Sequence, residues 1–225
     1  VLTQTLPGRY VLGYINQEHY NSLMESLGIS FTACSTSVLG LLGRADLESA
    51  GILQVHHQPY LHLTGRGVLL GFVDTGIDYT QEVFRYQDGS SKIQFLYDQT
   101  VESGPPAGFF MGTEYDNGRI NEALRAENPY DVVPQKDEVG HGTFLASVAA
   151  GRQLEDFLGA APDAEIIAVK LQQAKPYYLN KYCIPEGVPA YSSSAVMIGI
   201  EYIIIFVKQK AAYVMVSVSQ PDYRG

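Results

Sequence analysis

The residues VLLGFV at 68–73 constrain this chain more than any other stretch. Six consecutive apolar positions leave no face of a strand for water. Strands of that kind lie inside parallel sheets covered by helices on both faces, whereas sheets with one wet face show alternation. Two further runs repeat the signal, EIIAVKL at 165–171 and YVMVSVS at 213–219. Helical stretches lie between them. GHGTFLASVAAG at 140–151 is small and apolar, and 192–210 is long, apolar and opens on serines. Strands alternating with helices predict an α/β fold: a parallel sheet with helices on both faces.

A smaller unit precedes it. YVLGYI at 10–15 reads as a strand, and Asn16 caps a helix over 17–27 that Gly28 ends. Residues 29–43 suit one or two strands, and 44–50 a short helical turn. Pro59 and TGRG at 64–67 mark a loop leading out of this strand–helix–strand block. Residues 86–137 are polar, aromatic and rich in Gly, Pro and Asn. They read as loops with one helix at 120–127, and 175–191 reads as irregular.

Charge removes several function classes. A net charge of -9 opposes binding to nucleic acid or to an anionic membrane surface. AVMIGIEYIIIFV at 195–207 falls short of the ~20 residues a bilayer span needs and contains Glu201, so no membrane span is expected. Cys34 and Cys183 stand far apart and outside any metal-ligand spacing. They read as two buried free thiols, with a disulfide between them as the alternative, and free thiols favour a reducing compartment. The first residues, VLTQTLPGRY, show no secretory leader.

Two residues carry potential chemistry. Asp74 follows the first buried strand directly, at the carboxyl end where α/β sheets collect functional groups. By itself it also reads as an ordinary turn Asp before Gly76. His141 lies between Gly140 and Gly142 at the start of a helix, where the dipole disfavours a cation and suits a neutral proton acceptor. By itself it also reads as a surface His. Brought together, the carboxylate would accept the ring Nδ1–H and fix the tautomer, leaving Nε2 to take a proton from a nucleophile. His19, His56, His57 and His62 have no comparable setting.

The longer segments around these two residues resemble a known family. LLGFVDTGID at 69–78 is similar to the Asp segment of the subtilisin-like serine proteases, and GHGTFLASVAAG at 140–151 to their His segment. LGAAPDAEIIAVKL at 158–171 resembles the family's following turn and strand. The helix with GIEY at 199–202 and the strand ending at Ser219 match the next two elements in order. Asp before His is the subtilisin chain order. VFRYQDGSSKIQFLYDQT at 83–100 and GTEYDNGRINEAL at 112–124 resemble the clostridial spore-germination (Csp-like) branch.

The resemblance implies a serine-type endopeptidase acting on a peptide or protein substrate, with Asp74 and His141 catalytic. It implies that Ser217, Val218 and Ser219 touch substrate. It divides the chain into a prodomain-like segment, 1–46, and the N-terminal part of a catalytic domain, 47–225. The prodomain would be a folding chaperone and temporary inhibitor. No cofactor is implied. Some members of the family bind calcium, and no ligand cluster here assigns itself to it. A cytoplasmic or spore-associated setting is favoured over secretion.

Three departures accompany the resemblance. No GTSxAxP segment, which carries the family's Ser, occurs in these residues, and the segment bearing the oxyanion Asn is absent too. The chain therefore reads as one piece of something larger, whose partner would be the rest of the catalytic domain. The strand at 213–219 continues as Gln220-Pro221 rather than Leu-Gly, and Pro221 has no N–H for a paired substrate. Phe144 stands where common relatives carry a second His. Two hypotheses stay open: an endopeptidase whose Ser lies downstream of Gly225, and a catalytically inactive subtilase-like fragment or pseudoprotease acting by binding in germination. A nucleotide-binding α/β protein is disfavoured, since neither GxGxxG nor a P-loop follows the first strand of the sheet.

Overall fold

The computed structural model describes residues 2–6, 10–27, 38–39, 63–155, 157–210 and 213–218. Its centre is a five-stranded sheet. The strands are β4 (Val68–Asp74), β5 (Ile93–Asp98), β6 (Thr113–Asp116), β7 (Glu165–Lys170) and β9 (Tyr213–Val218), in the order β6-β5-β7-β4-β9. β4 pairs parallel with β7 and β9, β5 pairs parallel with β7, and β6 closes one edge antiparallel to β5. The three apolar runs are thus adjacent parallel strands, with β4 in the middle.

Both faces of β4 are buried, as its composition requires. Leu70 and Phe72 join a core with Ile120 and Ala123 of α2 (Asn117–Arg125) and with Ala146 and Ala150 of α3 (His141–Ala150). Leu69 and Val73 join a second core with Ala195, Val196, Ile198, Tyr202 and Ile203 of α5 (Ser193–Lys210). The α5 helix lies close because Gly199 has no side chain. A Cβ there would sit 2.8 Å from Val73 Cγ1 and 3.1 Å from Val169 Cγ1. Among the described residues no helix is long and apolar enough to cross a membrane.

The opening unit also forms. β1 (Leu2–Leu6) and β2 (Tyr10–Tyr14) make an antiparallel hairpin, followed by α1 (Gln17–Leu27), where the Asn16 side chain accepts from Glu18 N–H. β3 (Val38–Leu39) pairs antiparallel with β8 (Tyr191–Ser192), immediately before α5. The expected helical turn at 44–50 lies outside the described residues.

Four differences from the sequence reading have physical causes. Loops were expected through 86–137, yet β5 and β6 lie there. A bulge between Ile93 and Phe95 breaks the two-residue period of β5, and β6 is a four-residue edge strand with exposed Glu114 and Asp116. The irregular stretch 175–191 holds α4 (Pro176–Lys181), started by a proline whose missing N–H costs a helix nothing at its first turn. The helix expected at 120–127 starts earlier, because Asp116 caps it by accepting from Arg119 N–H. Cys183 is exposed rather than buried, in a left-handed backbone conformation after α4 (φ 54°), and Cys34 lies outside the described residues.

One buried cation tightens the α3 side of the core. Lys92 is 1% exposed, and its Nζ donates to the carbonyls of Ala150 and Pro162. It thereby meets the negative end of α3. Burial lowers its pKa to about 8, with Asp163 acting against the shift and Arg152 adding to it. The unfolded chain therefore holds more protons than the folded one above that pH, so stability rises with pH from about 8 toward about 10 and is lowest below that window. Urea unfolding across this range should show that slope, and Lys92→Met should flatten it.

Candidate active site

Asp74 is the last residue of β4 and His141 the first of α3, so each position is fixed by the end of a regular element. Folding brings them together across 67 residues of sequence. His141 Nδ1 lies 2.9 Å from Asp74 Oδ1 and 3.1 Å from Oδ2. An ionised carboxylate only accepts, so Nδ1 carries the proton and Nε2 is the basic nitrogen. The Asp74 side chain is 3% exposed and that of His141 17%. Asp74 Oδ1 also accepts from Thr75 N–H at 2.7 Å, which holds the carboxylate in place.

The approach depends on Gly142. A Cβ at that position would lie 2.1 Å from Gly76 O and 3.1 Å from Asp74 Cβ. Helix α3 can therefore touch the strand exit only without a side chain there. Its buried stripe, Gly142, Ala146 and Ala150, continues the same close packing one turn at a time.

A second carboxylate binds the two segments to each other. Asp137 Oδ1 accepts from Thr75 Oγ1 at 2.6 Å and from Gly140 N–H at 2.9 Å. Its Oδ2 accepts from Thr143 Oγ1 at 2.6 Å and from Thr143 N–H at 2.8 Å. Gly140 has no side chain to cap α3, so Asp137 does that work from three residues upstream. The threonines are bonded crosswise as well. Thr75 Oγ1 accepts from Gly142 N–H at 2.9 Å, and Thr143 Oγ1 accepts from Asp78 N–H at 2.8 Å. Burial opposes ionisation of Asp137, but the bonds from Thr143, Thr75 and the two backbone N–H groups outweigh it and hold its carboxyl below the ordinary value. These bonds are in place above the usual carboxylate range and are lost only as pH falls through that lowered value. Lys170, beside Asp74 in the sheet register, donates to Lys136 O at 2.6 Å and to Glu138 Oε2 at 2.8 Å, fixing the loop on both sides of Asp137.

The Asp–His juxtaposition matches what the sequence predicts. Of the strand expected to touch substrate, Ser217 and Val218 lie in β9 opposite Phe72 and Val73, one residue short of Asp74. Ser219 lies outside the described residues, as do His56, His57 and His62. His19 is exposed on α1. Sequence reasoning missed Asp137. Its signal was present as an Asp shortly before a helix whose own N-cap is glycine.

A model of the subtilase family (peptidase S8) matches residues 65–183. The chain belongs to the subtilase family. Its similarity extends to the Csp-like branch: it is 31% identical to the CspB protease of Clostridium perfringens, with a TM-score of 0.61, covering 77% of this chain and 33% of that one. The subtilisin-like protease SBT2.4 of Arabidopsis thaliana is 32% identical over 106 residues, covering 39% of this chain and 12% of that protein. This subtilase chain thus spans about a third of one relative and less of the other. The family is one of serine-type peptidases.

Substituting Gly142 tests the close approach. Gly142→Ala should cost about 1–3 kcal/mol in chemical denaturation. A crystal structure of the variant should show Asp74 and His141 moved beyond hydrogen-bonding distance.

Proposed function

We propose that this chain is the front part of a serine endopeptidase catalytic domain, preceded by its prodomain. Asp74 orients His141 and stabilises the imidazolium that forms. His141 takes the proton of a Ser supplied by a segment outside these 225 residues and returns it to the leaving amine. The observation that carries the reading is the 2.9 Å contact between His141 Nδ1 and a buried Asp74 at the rim of one sheet. Peptide or protein chains are the substrate class. Ser217, Val218 and Ser219 are assigned to substrate contact, by pairing of an extended peptide with β9, the last strand in the sheet order.

The division at residues 1–46 is supported by how that segment meets the rest. β3 adds a strand to β8, the way an extended peptide adds to a sheet edge. Tyr20 of α1 packs edge-on against Tyr177 and Tyr178 of α4, with ring centroids 5.1 and 5.9 Å apart, and Tyr177 OH donates to Asn21 Oδ1 at 3.0 Å. Leu12 and Tyr14 of β2 also pack against the second core, and the Tyr14 ring meets Phe110 edge-on at 6.1 Å, so the segment covers apolar surface of the rest.

A fluorophosphonate probe applied to the full-length natural product tests the reading. Labelling of a single Ser is expected, and Asp74→Asn should slow peptide hydrolysis by about 10⁴ through loss of the working tautomer. Folded wild-type protein that takes no label would leave binding, not proteolysis, as the function.

A further inference from the structure

We propose that Asp137 is a positioning residue for the Asp74–His141 pair, a clamp that locks the exit of β4 to the start of α3. This rests on the protease reading only for its catalytic consequence. The clamp itself follows from hydrogen-bond polarity.

Two chains of donors converge on Asp137. Gly142 N–H donates to Thr75 Oγ1, and that hydroxyl donates to Asp137 Oδ1. Asp78 N–H donates to Thr143 Oγ1, and that hydroxyl donates to Asp137 Oδ2. Each hydroxyl takes its N–H on a lone pair and has one proton of its own to give, so each chain ends on an acceptor. The threonines are exchanged between the segments. Thr75 of the Asp loop receives from the His helix, and Thr143 of the His helix receives from the Asp loop. Separating the two segments breaks both chains at once.

Only a carboxylate can terminate both. The two backbone donors, Gly140 N–H and Thr143 N–H, raise the total arriving at its oxygens to four. An amide of the same shape has one acceptor oxygen and would aim its NH₂ at two donors. Asp137 binds Gly140 and Thr143 directly and Gly142 through Thr75, and its effect on the imidazole runs through these neighbours of His141. Lys170 holds the loop against the same strand end, so the clamp is anchored in the sheet rather than in the loop alone.

Proton NMR and kinetics on the full-length protein test this. His141 Nδ1–H bonded to a carboxylate gives a low-field resonance. In Asp137→Asn that resonance should move upfield or broaden, and kcat should fall by up to about a hundredfold, the scale of a misplacement near 1 Å, with KM little changed. Folded Asp137→Asn with wild-type resonance and wild-type kcat overturns the proposal. Should that variant fail to fold, Thr75→Val and Thr75→Ser decide. The valine should displace the resonance and the serine should restore it, whereas a wild-type resonance in both overturns the clamp. A full-length protein without peptidase activity whose resonance still moves in Asp137→Asn would end the protease reading and uphold the clamp.

Discussion

Everything at this site depends on how closely the start of α3 can approach the end of β4. The sheet fixes Asp74 because β4 is paired on both sides and buried on both faces. Helix α3 has no such pairing. Its position is set by packing and by the bonds at its two ends, and the packing is tight because Gly142 lies where any side chain would collide with Gly76 and Asp74. A short charge-assisted bond between imidazole and carboxylate is the product of that approach rather than its cause. One hydrogen bond, even a charge-assisted one, contributes only about 1.5–3 kcal/mol net, too little to hold a helix against poor packing.

The far end of the helix shows the same dependence. Lys92 satisfies the last carbonyl of α3 and also that of Pro162, so the cation fixes where the helix stops. Burying an ammonium without a carboxylate partner is costly, and its lowered proton affinity records that cost. The helix is therefore held at both ends by charged side chains from outside it, Asp137 at its positive end and Lys92 at its negative end, each complementing the dipole. Between them the small-residue stripe sets the distance to the sheet.

How much of this could be read from the sequence follows from where each signal sits. VLLGFV and EIIAVKL were legible because both faces of each are covered, which forces continuous apolar runs. Asp74 and His141 stood out only together, since each alone has an ordinary role as a turn Asp or a surface His, and it was the longer segments around them, in order, that resembled a family. β5 was obscured by its bulge and β6 by its edge position, where exposed charges are required and the composition looks like a loop. Asp137 was illegible for a different reason. Its role is relational: it accepts from residues that are 62, 3 and 6 positions away, and only the folded arrangement shows that those donors converge.

That convergence shows how the site joins parts that lie far apart in sequence. The stretch from Thr80 to Lys136 contains two strands, a helix and long loops, and it reaches the clamp at its end, where Lys136 O accepts from Lys170 Nζ. The pair needs only that the residues next to each member be bonded across to the other's segment, which Thr75, Asp78, Gly142 and Thr143 achieve through one carboxylate. The clamp is anchored in the sheet, since Lys170, opposite Asp74 in the register, bonds on both sides of Asp137.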